Sequence, residues 1–206
     1  MVDVPDYGPP VAETADPLEL FANWLAEAHA REVNDPEAMS LATVGESGMP
    51  SSRMVLLKEY GPHGFVWYTN TGSRKGGQLA HNAKAALLFH WKSLRRQIRL
   101  EGVVSAVSAE EADAYFSSRP RMAQIGAWAS QQSRPLASRE ALQQAVADME
   151  KRFEGQGIPR PASWSGYRLQ PLYVEFWQEQ PFRLHDRVVY LRNNPSQPWT
   201  HDRRFP

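Results

Sequence analysis

The chain contains no cysteine. That excludes a disulfide framework, a thiolate metal site and a cysteine nucleophile. Other signatures are missing too. There is no GxGxxG, no GxxxxGK[ST] and no GxSxG, so nothing points to a dinucleotide fold, a P-loop or a nucleophile elbow. No His, Asp and Glu stand at metal-ligand spacing, so no metal is expected. No apolar run is long enough to span a bilayer. The opening MVDVPDYGPPVAETAD has neither a basic region nor an apolar core, so a secretory leader is not expected. A cytoplasmic location is the expectation. Charge of one sign is not in excess: 23 Lys and Arg balance 23 Asp and Glu. Nucleic acid and membrane surfaces are therefore not expected partners, and any positive site must be local.

What is present is aromatic: seven Trp, seven Tyr and eight Phe in 206 residues, enough to pack a core and to hold a flat ligand. Residues 1–15 read as a flexible N-terminal arm, and 16–206 as one domain. Asp16-Pro17 with Glu19 caps a helix reaching about Arg31. AMSLATVG (38–45) and SSRMVLLKEY (51–60) read as a hairpin, with RMVLLK, apolar on both faces, as a buried central strand. FVWYTN (65–70), KAALLFHW (84–91) and RRQIRLEGVVSAVS (95–108) follow as strands. Ser73 caps a short helix between the first two of these, and Ser108 with Glu111 caps another through Phe116, closed by Pro120. Leu142, Val146, Met149 and Phe153 predict a buried stripe on a helix starting near Ser138. Residues 157–168 read as a loop, LYVEFWQ (172–178) and FRLHDRVVYLR (182–192) as the last strands. Roughly seven meandering strands with three or four helices predict an antiparallel, barrel-like sheet.

Four constellations could carry chemistry. Read as a strand, FRLHDR points Arg183, His185 and Arg187 one way, which suits an anionic or aromatic ligand, with Trp177 close by; a solvated face is the plain alternative. Ser73-Arg74-Lys75 puts two cations in a helix's first turn, against the helix dipole, a conflict that an anion would resolve. Arg53 and Lys58 bound RMVLLK with opposite parity, so either the strand is bulged or they serve different neighbours. YFSSRPRMAQIGAWASQQS (115–133) carries two arginines and no acid, with Tyr115 and Arg119 one helical turn apart. Together these suggest one or two flat, phosphorylated ligands.

RMVLLK, VWYTNTGSRKGGQL, SLRRQI, YFSSRPRMAQIGAWASQQS, SWSGYR, VEFWQ and FRLHDR occur in that order, and in this the chain resembles the pyridoxine/pyridoxamine 5′-phosphate oxidase family from about Asp16 onward. The resemblance implies a mainly β, split-barrel flavin-binding fold with peripheral helices, and a homodimer with FMN sites at the subunit interface. It implies FMN contacts from Arg53, Met54, Val55, Leu56, Leu57, Lys58, Tyr68, Thr69, Arg74, Lys75, Gln97, Gln132, Ser133, Trp177 and Arg187. Gln132 and Ser133 would reach the flavin held mainly by the other subunit. Substrate contacts would come from Lys58, Tyr115, Arg119, Arg183, Leu184 and His185, with Arg183 and His185 as the catalytic pair over the pyridine ring. The implied reaction oxidises pyridoxamine or pyridoxine 5′-phosphate to pyridoxal 5′-phosphate, with hydride passing from C4′ to flavin N5 and O2 reduced to H2O2. A phenazine-type oxidase and a non-catalytic flavin or pyridoxal-phosphate binder are the alternatives. Three departures stand out. Ala123 occupies a position where the family often has a phosphate-binding serine. The arm has Tyr7 but no R-x-x-Y motif. Ser165, in what reads as a loop, replaces a usual glycine.

Overall fold

The computed structural model describes residues 7–206. Helix α1 (Pro17–Arg31) starts where its capping chemistry predicts: the Asp16 side chain accepts from the Leu18 N–H, and Pro17 opens the first turn. It buries Leu20, Phe21, Trp24, Leu25 and Ala28. Strands β1 (Ala38–Val44) and β2 (Pro50–Leu56) form the expected hairpin, in register from Ala38 opposite Leu56 to Val44 opposite Pro50. Next come β3 (Glu59–Gly61), β4 (Gly64–Asn70), α2 (Arg74–His81), β5 (Lys84–Trp91) and β6 (Arg96–Ala106). Three helices follow, α3 (Ala109–Ser118), α4 (Arg121–Ala129) and α5 (Arg139–Arg152). Then come β7 (Trp164–Gln178), a 3-10 turn (Pro181–Arg183), β8 (Asp186–Leu191) and β9 (Thr200–Arg203).

Every pairing is antiparallel, and the strand order is β2-β1-β5-β6-β7-β4-β3, with β8 on β7 and β9 on β8. The fold is thus a mainly β, antiparallel split barrel with peripheral helices. Its core packs Phe65, Trp67, Phe89, Ile98, Leu100, Phe176 and Tyr190 under α1. The Phe21 ring sets its edge against Phe65 at 4.9 Å. The 15-residue β7 is the spine. Its first part pairs with β4 and its last part with β8, while β6 runs along nearly all of it.

Four expectations are corrected. First, β2 is an edge strand rather than a central one: it pairs only with β1, and Met54 and Leu56 stay 63% and 41% exposed. It stops at Leu56, Leu57 is buried, and the Lys58 N–H turns to the Val66 carbonyl, so the bend resolves the parity of Arg53 and Lys58. Second, FRLHDR is not a strand over its whole length. Phe182 and Arg183 take φ of 59° and 62°, a left-handed turn that ends the alternation before β8 begins at Asp186. Third, α3 ends before Pro120 as expected, at Ser118 with Arg119 as its C-cap, but Pro120 is then the N-cap of a further helix, α4, that the sequence did not lead one to expect. Fourth, β7 begins at Trp164, so Ser165 lies in a strand, opposite Thr69, not in a loop. The stripe on α5 is only half buried, with Phe153, just past its end, fully so. Of the arm, residues 1–6 lie outside the described residues. From Tyr7 onward the chain runs against the barrel: Val11 is buried, its N–H donates to Asp186 (2.6 Å), and the Thr14 N–H donates to the Tyr190 hydroxyl.

Candidate functional site

A cavity of about 520 Å³ opens between β2, β4, α2 and α4. Lys58, Tyr68, Thr69, Lys75, Tyr115, Arg119, Ala123, Gln132 and Trp164 line it, with no Asp or Glu among the lining residues. One wall is an aromatic stack. Tyr68 and Tyr115 lie 4.0 Å apart and 8° from parallel, and Trp164 stacks on Tyr68 at 5.4 Å. The stack exists because Gly166 leaves room: a Cβ there would come within 2.8 Å of the Tyr68 ring. Arg119, the C-cap of α3, lays its guanidinium 4.7 Å over Trp164. Its Nη1 is buried with no hydrogen-bond partner, and burial holds its pKa below the usual value. A half-buried cation with an unpartnered donor is a seat for an anion.

A second seat lies at the start of α2. The Ser73 side chain caps the helix and accepts from the Gly76 N–H. Gly76 is required, since a Cβ would sit 1.9 Å from the Thr71 carbonyl oxygen. Lys75 is buried, and its Nζ donates to Gln132 Oε1 (2.6 Å), Thr69 Oγ1 (2.7 Å) and Ser73 Oγ (3.1 Å). All three acceptors are uncharged. Burial, then the nearby Arg53 charge, lowers the Lys75 pKa to about 8. Arg53 is itself lowered by burial and by Arg74; its guanidinium donates to Thr43, Ser51 and Gln78. Three cations press on one another with no carboxylate between them. The Arg74 N–H donates to Ser133 Oγ (3.2 Å), so Gln132 and Ser133 meet this chain's own α2, rather than reaching only across subunits.

The remaining predicted residues gather elsewhere. Register places Gln97, Trp177 and Arg187 in one row across β6, β7 and β8. Their face is opposite the core face of Ile98, Phe176 and Val188. The His185 ring packs on Trp177 at 4.6 Å, and its Nδ1 accepts from the Gln180 N–H (3.2 Å). Arg183 and Leu184 stand exposed on the adjoining turn. This group is at one end of β7 and Trp164 at the other. Fifteen residues of strand at about 3.3 Å each give β7 a contour of on the order of 45 Å, and among the described residues no hydrogen bond, ring contact or cavity lining joins the two groups.

The sequence matches the family model described as pyridoxamine 5′-phosphate oxidase over residues 25–153. The chain belongs to that family. With that membership it is an enzyme, an oxidoreductase. A second family model, pyridoxine 5′-phosphate oxidase C-terminal dimerisation region, matches residues 164–206. A pyridoxine/pyridoxamine 5′-phosphate oxidase of Rhodopseudomonas palustris (strain HaA2) is 58% identical over 191 residues, covering 93% of this chain and 90% of the relative. One from Caulobacter vibrioides (strain NA1000 / CB15N) is 56% identical over 198 residues, covering 96% and 88%. Among solved structures, PhzG from Burkholderia lata 383 in complex with tetrahydrophenazine-1-carboxylic acid superposes with a TM-score of 0.87 at 33% identity, covering 100% and 99% of the two chains. A pyridoxamine 5′-phosphate oxidase-related, FMN binding protein from Nostoc punctiforme PCC 73102 shares the fold, at a TM-score of 0.75 and 17% identity over 95% and 100%.

Sequence reasoning missed part of the cavity wall. Asn70, Gly126, Ala127 and Ser130 line it without having been singled out. Three of these belong to α4 and its C-cap, a region for which no helix was expected; the spacing 123, 126, 127, 130 was the helical signal available. Gln78, which binds Thr43, Ser51 and Arg53 together, carried no signal short of the fold itself.

Proposed function

We propose that the protein is an FMN-dependent oxidase that converts pyridoxamine 5′-phosphate or pyridoxine 5′-phosphate to pyridoxal 5′-phosphate in the cytoplasm. The observation that carries this reading is one acid-free cavity with two cationic seats, Arg119 on one wall and Lys75 on another, with Arg53 and Arg74 behind Lys75 and outside the lining. A phosphorylated substrate beside a phosphorylated flavin needs two such seats. The second fits the FMN phosphate through Lys75, Arg53, Arg74 and Ser133, with Tyr68, Thr69, Gln132 and the backbone from Met54 to Lys58 around it. The first fits the substrate phosphate, held by Arg119, Tyr115 and Lys58.

The separation of the two residue groups supports a homodimer in which each site takes both. The dimerisation-region match begins at Trp164 and contains Trp177, Arg183, His185 and Arg187. The partner would therefore bring Gln97, Trp177 and Arg187 to the flavin and Arg183, Leu184 and His185 to the substrate ring. Bound FMN supplies the hydride acceptor for C4′ and the route of electrons to O2, with H2O2 as product. The chain's own share is position and protons. Arg183 stacks on the ring and orients it. Because His185 Nδ1 accepts from the Gln180 N–H, the neutral ring carries its proton on Nε2, which is free to donate to the C4′ substituent.

A phenazine-type reading is favoured by the ligand in the Burkholderia neighbour. A carboxylate ligand needs one anion seat beside the flavin and leaves Arg119 without a phosphate. The test is anaerobic addition of pyridoxamine or pyridoxine 5′-phosphate to the purified flavoprotein. Bleaching of the flavin with formation of an aldehyde is expected. A bound flavin that neither compound reduces would favour the phenazine-type or a non-catalytic reading, and a colourless protein that cannot be reconstituted with FMN would overturn all three.

A further inference from the structure

Glu175 is a carboxylate buried to 2% exposure on β7, one step along the same face from Trp177. Its two oxygens are fully engaged. Arg187 donates Nε to Oε1 (3.1 Å) and Nη2 to Oε2 (2.9 Å), a two-pronged fork. The Tyr173 hydroxyl and Arg99 Nη1 (3.4 Å) both reach Oε2, and Arg99 is balanced on its far side by Glu101 (2.7 Å). Burial pushes the Glu175 carboxyl up, yet the bonds from Arg187 and Tyr173 and the charges of Arg187 and Arg99 outweigh it, so the group stays below the usual carboxylate range.

Burying a carboxylate is costly, and a sheet face that needed only stability would carry an apolar side chain there, as its row partner Val189 does. The fork does something an apolar residue cannot. It fixes the plane of the Arg187 guanidinium and uses two of its three nitrogens. Nη1 is the nitrogen that the fork leaves untouched, and in this structure it donates to the Phe205 carbonyl (2.7 Å).

We propose that Glu175 is a positioning residue for the flavin site: it pins Arg187 so that Nη1 faces outward from the Gln97–Trp177–Arg187 row, with Tyr173 and Arg99 holding the carboxylate still. This rests on the reading that Arg187 contacts FMN. The experiment is fluorescence titration of the apoprotein with FMN, together with the visible spectrum of the bound flavin, for Glu175→Gln, Arg187→Met and the double variant. Arg187→Met is expected to weaken FMN about tenfold and Glu175→Gln by a similar factor, with an altered flavin spectrum. The double variant should bind no more weakly than Arg187→Met alone, because Glu175 acts only through Arg187. Tyr173→Phe, which removes one bond without moving charge, should weaken FMN about threefold, and that loss too should vanish in the Arg187→Met background. It keeps the test open if Glu175→Gln does not fold, and Glu175→Asp should restore part of the affinity. Multiplying losses in the double variants, or a Glu175→Gln protein that binds FMN like the parent, would overturn the proposal. An Arg187→Met protein with undiminished affinity would instead overturn the assignment of Arg187 to the flavin.

Discussion

The Arg119 guanidinium lies 4.7 Å above the Trp164 ring, and its Nη1 is buried without a partner. Trp164 thus stabilises a cation that has been withdrawn from water but not neutralised. In the proposed reading the substrate phosphate supplies the missing acceptor. Arg119→Gln should raise KM for pyridoxine 5′-phosphate by 10- to 100-fold (about 1.5–3 kcal/mol for a hydrogen bond to a charged group) with a smaller effect on kcat. Unphosphorylated pyridoxine should be a poor substrate of both proteins, to the same degree. Steady-state kinetics with the two compounds decides this; an equal loss for both would mean that Arg119 supports the fold and not the phosphate.

Ala123 lines the same cavity, in the first turn of α4. It adds no donor where Arg119 has one to spare. Ala123→Ser should therefore tighten the substrate, lowering KM by on the order of tenfold, and leave FMN affinity unchanged. An unaltered KM would show that the serine position is not within reach of the phosphate.

If the seat at the start of α2 holds the FMN phosphate, as proposed, Lys75 makes its affinity pH-dependent. With its pKa lowered to about 8 in the free protein, it must be protonated to hold a phosphate, and a bound phosphate raises that pKa. FMN affinity of the apoprotein should be level from about pH 7 to 8 and fall by up to tenfold per unit above 8. Stability of the apoprotein runs the other way. The cost of burying a charged lysine is present below about pH 8 and is relieved as pH rises from there toward the unfolded value of 10.5. Calorimetric titrations at several pH values test this, and Lys75→Met should abolish the slope.

Much of this was legible in the sequence because it is local. The caps at Asp16, Ser73, Ser108 with Glu111, and Ser138 each mark a helix start that the structure has. The hairpin of β1 and β2 announced itself through its turn. Misreadings came where chain neighbours do not decide. Two left-handed residues, Phe182 and Arg183, broke a strand pattern that nothing short of the backbone could show to be broken. The apolar residues of β2 suggested a central position, but pairing is settled by distant strands, and β2 ended at the edge. The cavity residues carried clear signals, cations without acids, though their individual roles came from the family resemblance. That β7 would hold the two groups apart could not be read before its register was known.

Gly166 makes a separate, structural prediction. A Cβ at this position would meet two Tyr68 ring carbons at 2.8 Å and the Val107 side chain at 3.0 Å. Tyr68 packs against both Tyr115 and Trp164, so any displacement travels into the stack. Gly166→Ala should cost about 1–3 kcal/mol in denaturant unfolding and raise the substrate KM as well. Gly48, with no atom within reach of an added Cβ but a φ of 73°, is the control: an alanine there should lower stability through backbone strain and spare KM.

The last prediction follows from the length of β7. Lys75 and Arg119 belong to one residue group, His185 and Arg187 to another at the far end of the strand. If each site takes one group from each subunit, a dimer of Arg119→Ala with Arg183→Ala chains has one site carrying both lesions and one carrying neither. Each parent homodimer has two damaged sites. Unfolding and refolding an equal mixture, or co-expressing the two chains, should then restore about a quarter of the parental activity, since half of the dimers are mixed and half of their sites are whole. A site built within one chain gives a different result, because every site in every dimer keeps its own lesion and mixing restores nothing. The readout is aldehyde formation per mole of FMN, measured before and after mixing, and no recovery in a mixture shown to contain mixed dimers would sink the shared site.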